Sequence, residues 1–528
     1  MTARVGPAAL RGMLSDGSEL ALVDVREELI FSQRHLLLAR SVPLSRFELK
    51  FAPLVPRRAT PIVLCDDGDG RAERAAAILS RNGYTDVRIL AGGIDAWAAA
   101  GFELFSGVNV PSKAFGEYVE HARGTPNIAA DELEKLLRDG ADLVVLDSRP
   151  FDEYVRVSIP TATNVPGAEL VLRAREIAPS PQTTVVVNCA GRTRSIIGAQ
   201  SLINAGLPNK VVALRNGTMG WSLAGFACDK GKDRRAPAVS PATLDWARSA
   251  ARRVAQSCGV ERIDRKTLDA WRADAERTLY VFDVRDPAEY EAAHLPGAIS
   301  APGGQLVQAT DQYVGTLGAR IVLVDDAEVR AAMTASWLRQ MGWRDVFILT
   351  EKGTETGWPA MPALDVDTRS GDAVDCKELG EFLSRNAATV IDLSLSRNYL
   401  TQHIPGAWFA IRTRLASALE KIPLHGTLVL TSEDGALAKL AVTEAAGLAD
   451  RPVRFLEGGN AAWQAAGNAF SAEARMADDI VDQWRKPYER GGDAKAAMAE
   501  YLAWETDLLP RIERDGSLKF FCVGSTFD

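Results

Sequence analysis

Of the six cysteines in this chain, one stands where a nucleophile would be useful. Residues 185–195 read Val-Val-Val-Asn-Cys-Ala-Gly-Arg-Thr-Arg-Ser. A β-branched run ends at Cys189, a short loop with one glycine and two arginines follows, and a helical pattern opens directly after it. Loop amides and a helix N-terminus favour an anion. The guanidinium groups of Arg192 and Arg194 are expected to lower the thiol pKa and to draw in an anionic substrate. The chemistry suited to such a loop is attack by a thiolate. Asp147 and Arg149, at the end of an earlier strand, read as a charge pair that holds the loop from below.

The other reactive side chains stand in poorer settings. Cys65 opens the run Cys-Asp-Asp-Gly-Asp-Gly-Arg and is a second candidate site. The three carboxylates beside it disfavour a thiolate and repel an anion, each by about 1 kcal/mol in a partly solvated site. Cys228, shortly after Trp221, reads as a small buried cysteine, with a resolving thiol as the alternative. Cys258, Cys376 and Cys522 lack basic neighbours. His294 and His403 precede Pro-Gly turns and read as turn-fixing residues. No CxxC and no Cys/His cluster occurs, so neither a metal nor any other cofactor is expected.

The elements that position these residues repeat four times. An apolar strand ends in an acid at Asp24, Asp147, Asp283 and Asp392. A turn follows, sharpest at His294-Leu295-Pro296-Gly297-Ala298 and His403-Ile404-Pro405-Gly406-Ala407, degraded near Pro160, and expected near Val42-Pro43 in the first unit. A second buried strand then leads to Cys65, Cys189, Asp325 or Ser432, and each feeds an alanine-rich helix. A third strand runs into a glycine turn closed by Trp97, Trp221, Trp358 or Trp463. These tryptophans lie 73, 74, 75 and 71 residues past the acid, and they read as core anchors. Short apolar strands alternating with helices predict α/β units with a mainly parallel sheet and helices on both faces. Ligands of such sheets sit beyond the carboxyl ends of the strands, where Cys65 and Cys189 fall. Each unit, at about 100 residues, is expected to hold its own core. The predicted boundaries are 1–106, 124–230, 258–364 and 372–471, followed by a helical tail, 472–528. Helical linkers are expected over 112–122 and 241–255, a short polar junction near 361–372, and an amphipathic helix over 494–509 that packs on the repeats.

Length and composition agree. At about 150 residues per domain, 528 residues predict three or four domains. A net charge of −8 offers no general basic surface, so nucleic acid is not an expected partner. No apolar run reaches the 18 residues of a membrane span, and the first residues lack a signal-peptide core. Scattered cysteines indicate a reducing compartment, with the cytoplasm as the expected location.

The strand ending in D-x-R, the H-[IL]-P-G-A turn, the Cys-led loop between strand and helix, and the closing G-G-x-x-A-W together resemble the rhodanese (thiosulfate sulfurtransferase) superfamily. The resemblance spans about 470 of the 528 residues as four tandem rhodanese-like, Cdc25-like domains. It implies that Cys189 takes the outer sulfur of thiosulfate as a persulfide and passes it to cyanide or another thiophile, with a protein sulfur acceptor as an alternative partner. Carried over by position, Ala190, Gly191, Arg192, Thr193 and Arg194 form the anion cradle, and Ser195 caps or opens the following helix. The loop departs from the usual arrangement, with Gly at its third position and Arg at its fourth, where glycine is commoner. The six-residue length suits sulfur substrates rather than the longer loop of related phosphatases. Asp325 and Ser432 cannot form a persulfide, which makes units three and four packing or docking domains. The runner-up reading is a sulfur-relay or scaffold protein with little small-molecule activity.

Overall fold

In the computed structural model, residues 2–365, 373–490 and 492–522 are described. Four parallel sheets follow one another along the chain, each with the spatial order expected of one repeated unit. In the second unit the strands run Asn127–Ile128, Val211–Leu214, Thr184–Asn188, Leu143–Asp147 and Thr163–Asn164 across the sheet. The three inner strands, Val211–Leu214, Thr184–Asn188 and Leu143–Asp147, are mostly apolar and largely buried on both faces, as a parallel sheet requires. The two linker helices form as expected, as Val110–Arg123 and Pro241–Ser257. The tail helix is longer than expected, Ala494–Asp515. The polar junction near 361–372 lies partly outside the described residues, as do the first residue of the fourth predicted domain and the last six of the tail. Among the described residues no helix is long and apolar enough to cross a membrane.

The units pair. The first meets the fourth through Arg412, which binds both oxygens of Glu48 at 2.7 and 3.0 Å, and through Arg46, which donates to the Leu393 carbonyl at 2.9 Å. The second and third share one continuous apolar core that includes Leu146, Leu202, Phe282 and Trp337, where independent cores were expected. Trp337 donates across that core to the Ser201 hydroxyl at 2.8 Å, and Arg330 of the third unit pairs with Glu169 of the second at 2.9 Å. The first sheet also takes a strand from the third unit: Thr316–Leu317 lies antiparallel on Leu20–Ala21.

Two expectations about repeat features need correction. In the first unit the turn lies at His35–Ala39, not near Val42-Pro43. His35 stacks on Phe31 at 4.0 Å, as His294 does on Tyr290 and His403 on Tyr399, and the Ala39 amide donates to Leu36 as Ala298 does to Leu295. Leu37 and Leu38 replace the Pro-Gly pair, which hides the turn in the sequence. Trp358 is not a core anchor: it is 56% exposed. The helices Gly93–Ala99, Gly217–Leu223 and Gly459–Ala465 bury the tryptophans of the other units. The third has no helix between the strand Val346–Leu349 and the junction, so nothing folds its tryptophan back.

Candidate active site

Cys189 follows the strand Thr184–Asn188 and precedes the helix Thr193–Asn204, so its side chain lies at the carboxyl edge of the sheet. Only 2% of the residue is exposed. Its thiol donates to the Ser195 hydroxyl at 3.4 Å, and that hydroxyl donates to the Arg192 carbonyl at 2.8 Å. Ser195 therefore does not cap the helix, whose N-cap is Arg192. It lies one turn inside and faces the sulfur.

The loop is buttressed from two sides. The amides of Thr218 and Met219 donate to the carbonyls of Cys189 and Ala190 at 2.8 and 2.9 Å. Gly217 has φ +54°, and a Cβ there would lie 2.4 Å from the Cys189 carbonyl oxygen, so only glycine fits this turn. Beneath, Arg149 grips Asp147 through Nε and Nη2 at 2.9 and 2.6 Å and donates to the Val157 carbonyl at 2.6 Å. Asn188 donates to Asp147 at 3.2 Å and ties this buried pair to the strand that carries the loop.

The guanidinium groups do not act alike. Arg192 turns to the linker helix, bonding Glu117 through Nε and Nη2 at 2.7 Å each, and also meeting Glu120. Its charge is neutralised there, so the expectation that two arginines serve the thiol reduces to one. Arg194 pairs with Glu153 at 2.9 Å and donates to Gln305 of the third unit at 3.1 Å. Burial favours its neutral form, but Glu153 and the Cys189 sulfur outweigh burial and raise its pKa. Burial would also raise the Glu153 carboxyl, yet Arg194, Lys486 and Arg149 hold it well below the usual carboxylate range.

Comparing the units corrects the alignment of Cys65. Asp24 pairs with Cys65 across the first sheet, whereas Asp147 pairs with Asn188 across the second. The residue in the register of Cys189 is thus Asp66. A one-residue shift reverses the side chain's face, and Cys65 points into the core beside Leu10 and Trp97. Its thiol donates to the Val23 carbonyl at 3.5 Å. Burial first, then Asp24, Asp66 and Asp67 against the opposing Arg26, push its pKa well up.

Asp66 shows what the loop holds. Its carboxylate accepts from the amides of Gly68 and Ala72 at 2.9 Å each. Asp325 of the third unit accepts from Ala327, Arg330 and Ala331 at 3.1, 2.8 and 3.3 Å, and pairs with the Arg330 guanidinium at 2.9 Å. In the fourth unit the Ser432 hydroxyl accepts from Ala438 at 3.3 Å. The strand-end arginine is absent there, and Asn460 binds Asp392 instead, at 2.8 Å. Counting two and six residues on from Cys189, the equivalent amides are those of Gly191 and Ser195. Cys228 lies half-buried with its sulfur 3.6 Å from the Ser222 hydroxyl.

Sequence reasoning missed the cover of this site. The tail helix lays Met498 and Leu502 on Ala190 and Met219. A Cβ on Gly191 would stand 3.0 Å from Met219 Cε and 3.1 Å from Glu505 Oε2, so these two side chains close tightly over the third loop position. The amphipathic pattern over 494–509 was the available signal, but it names no partner.

The Rhodanese-like domain family matches at residues 6–100, 129–224, 264–354 and 375–466, once on each sheet. A crystal structure of thiosulfate sulfurtransferase from Pseudomonas aeruginosa is 49% identical, with a TM-score of 0.95, over 99% of this chain and 100% of that one. Curated relatives match over shorter stretches. An HTH-type transcriptional regulator of Mycobacterium tuberculosis is 31% identical over 109 residues, 20% of this chain and 47% of the relative. "Probable adenylyltransferase/sulfurtransferase MoeZ" of the same species is 34% identical over 95 residues, 18% of this chain and 24% of the relative. The chain thus spans less than half the length of either curated relative. With four matches that follow the four sheets in order, this chain belongs to the rhodanese-like family as a tandem of four such domains.

Proposed function

We propose that this chain is a sulfurtransferase that moves sulfane sulfur from thiosulfate, or a related anionic donor, to cyanide or a thiol through a persulfide on Cys189. The observation that carries this reading is the occupancy of the equivalent loops. Two of the four hold a built-in carboxylate on loop amides, and the loop of the second unit offers the same amides beside a thiol. An anion binds there without receiving a proton, as persulfide and thiosulfate both require. The near-full-length neighbour is a thiosulfate sulfurtransferase, which supports an anionic sulfane-sulfur donor.

In the first step the Cys189 thiolate attacks the outer sulfur of thiosulfate. A new S–S bond forms, the S–S bond of thiosulfate breaks, and sulfite leaves with the electron pair. Cyanide then attacks the outer persulfide sulfur, thiocyanate departs, and the thiolate returns. Arg194 faces the charge that moves through the site, Ser195 orients the sulfur, and the Asp147–Arg149 pair keeps the loop in place. The burial of Cys189 beneath the tail favours small acceptors over a docked protein.

Mass spectrometry of the intact chain after exposure to thiosulfate tests this. Wild type and Cys65→Ser should gain about 32 Da, one sulfur atom, and produce thiocyanate from cyanide, while Cys189→Ser should do neither. An adduct that persists in Cys189→Ser would overturn the assignment. A Cys189 adduct without thiocyanate would move the acceptor to a protein.

A further inference from the structure

The tail brings to the Cys189 loop one charged side chain for which the reaction above has no use. Glu505 is fully buried. One carboxylate oxygen, Oε1, meets Lys113 Nζ at 3.2 Å and accepts from the Tyr501 hydroxyl at 3.1 Å. The other, Oε2, is buried without any hydrogen-bond partner, and it is this oxygen that stands over Gly191. An orphaned carboxylate oxygen next to an anion cradle is costly, and its neighbours hold it firmly. The helix is anchored beyond it by Leu508 and Ile512 in an apolar cluster with Leu37, Phe105 and Val110. Arg511 adds a pair with Glu103 at 2.7 Å, and Arg11 one with Asp515 at 3.2 Å. Glu505 is therefore a fixed wall of the site, and its field reaches both Arg192 and Glu117.

Repulsion between this carboxylate and a bound anion grows in proportion to the anion's charge. A dianion pays twice what a monoanion does, while the loop amides and Arg194 attract both. We propose that Glu505 sets the charge preference of the Cys189 site, favouring singly charged sulfane donors, such as thiosulfonates, over the thiosulfate dianion. The inference rests on the sulfurtransferase reading above and names its preferred donor class. With methanethiosulfonate the first step balances as before: the thiolate takes the outer sulfur and methanesulfinate leaves with the electron pair.

The test compares kcat/KM for thiosulfate and methanethiosulfonate, with cyanide as acceptor, in the full-length chain. Glu505→Gln should raise the thiosulfate value about tenfold and the methanethiosulfonate value about threefold, as a charge-proportional term requires. Glu505→Asp, which keeps the charge, should leave the ratio of the two near that of wild type. Lys113→Gln removes the counter-charge and should move both values the opposite way, thiosulfate again the more. It carries the test if Glu505→Gln fails to fold. Equal changes for the two donors, or a ratio shifted alike by Asp and Gln, would overturn the proposal while leaving the sulfurtransferase reading intact. No sulfur transfer from either donor by wild type would overturn both.

Discussion

Four side chains occupy equivalent places beyond the four sheets: Asp66, Cys189, Asp325 and Ser432. Two carboxylates satisfy their own loop amides from within, and the serine binds one amide. Among the described residues the thiol of Cys189 is the one of the four that accepts no loop amide and instead donates, to Ser195, so the units differ at this place by one side chain each. At this scale Ser195 offers a sharp prediction. Its hydroxyl takes the thiol hydrogen bond, and such a bond is worth about 1 kcal/mol. Ser195→Ala should lower thiosulfate:cyanide turnover several-fold while the persulfide adduct still forms. Unchanged steady-state kcat would show that the hydroxyl has no part in orienting the sulfur.

The recurrent element is a short helix whose aromatic ring stacks on a residue four positions later, ahead of a tight turn. His35, His294 and His403 fill that later position, and Ser158 replaces them in the second unit. Burial lowers the pKa of His35 to about 4, against about 6.5 in an unfolded chain. Between those values the unfolded chain binds a proton that the folded chain does not, so stability is present above pH 6.5 and is lost as pH falls toward 4. The loss is on the order of 3 kcal/mol. His35→Ser, with the residue the second unit uses, should remove this component. The melting temperature of wild type relative to the variant should fall between pH 7.5 and 4.5, and a constant difference would refute the assignment.

Across the molecule, the first and third units meet at a half-buried acceptor. Glu19 receives Arg57 Nη2 at 2.9 Å, Arg277 Nε at 3.1 Å, and the amide and hydroxyl of Thr278 at 2.8 and 2.6 Å. Beside it Thr316–Leu317 completes the first sheet. Removing the shared acceptor strands its donors, at about 1 kcal/mol in this part-exposed setting. Glu19→Ala should lower the first urea-unfolding midpoint clearly, and an unaltered midpoint would mean that the units are held by apolar contact alone. The same arrangement brings the third unit, whose loop holds Asp325 in place of a cysteine, to the Cys189 loop, since it supplies Gln305 to Arg194.

The four units, their parallel sheets and the linker helices were all legible in the sequence, because they depend on local patterning: apolar runs, turn residues and their order along the chain. The tertiary structure decided the rest. The register between Asp24 and Cys65 turned that thiol into the core, a one-residue matter that spacings of 40 to 42 residues could not resolve. Trp358 stayed outside because its unit lacks the helix that buries the others. The charge of Arg192 was neutralised by carboxylates 72 and 75 residues away in sequence. The roof over Cys189 arrived from a helix some 300 residues later. Burial and electrostatic pairing depend on distance in space, which a linear reading of residue types does not contain.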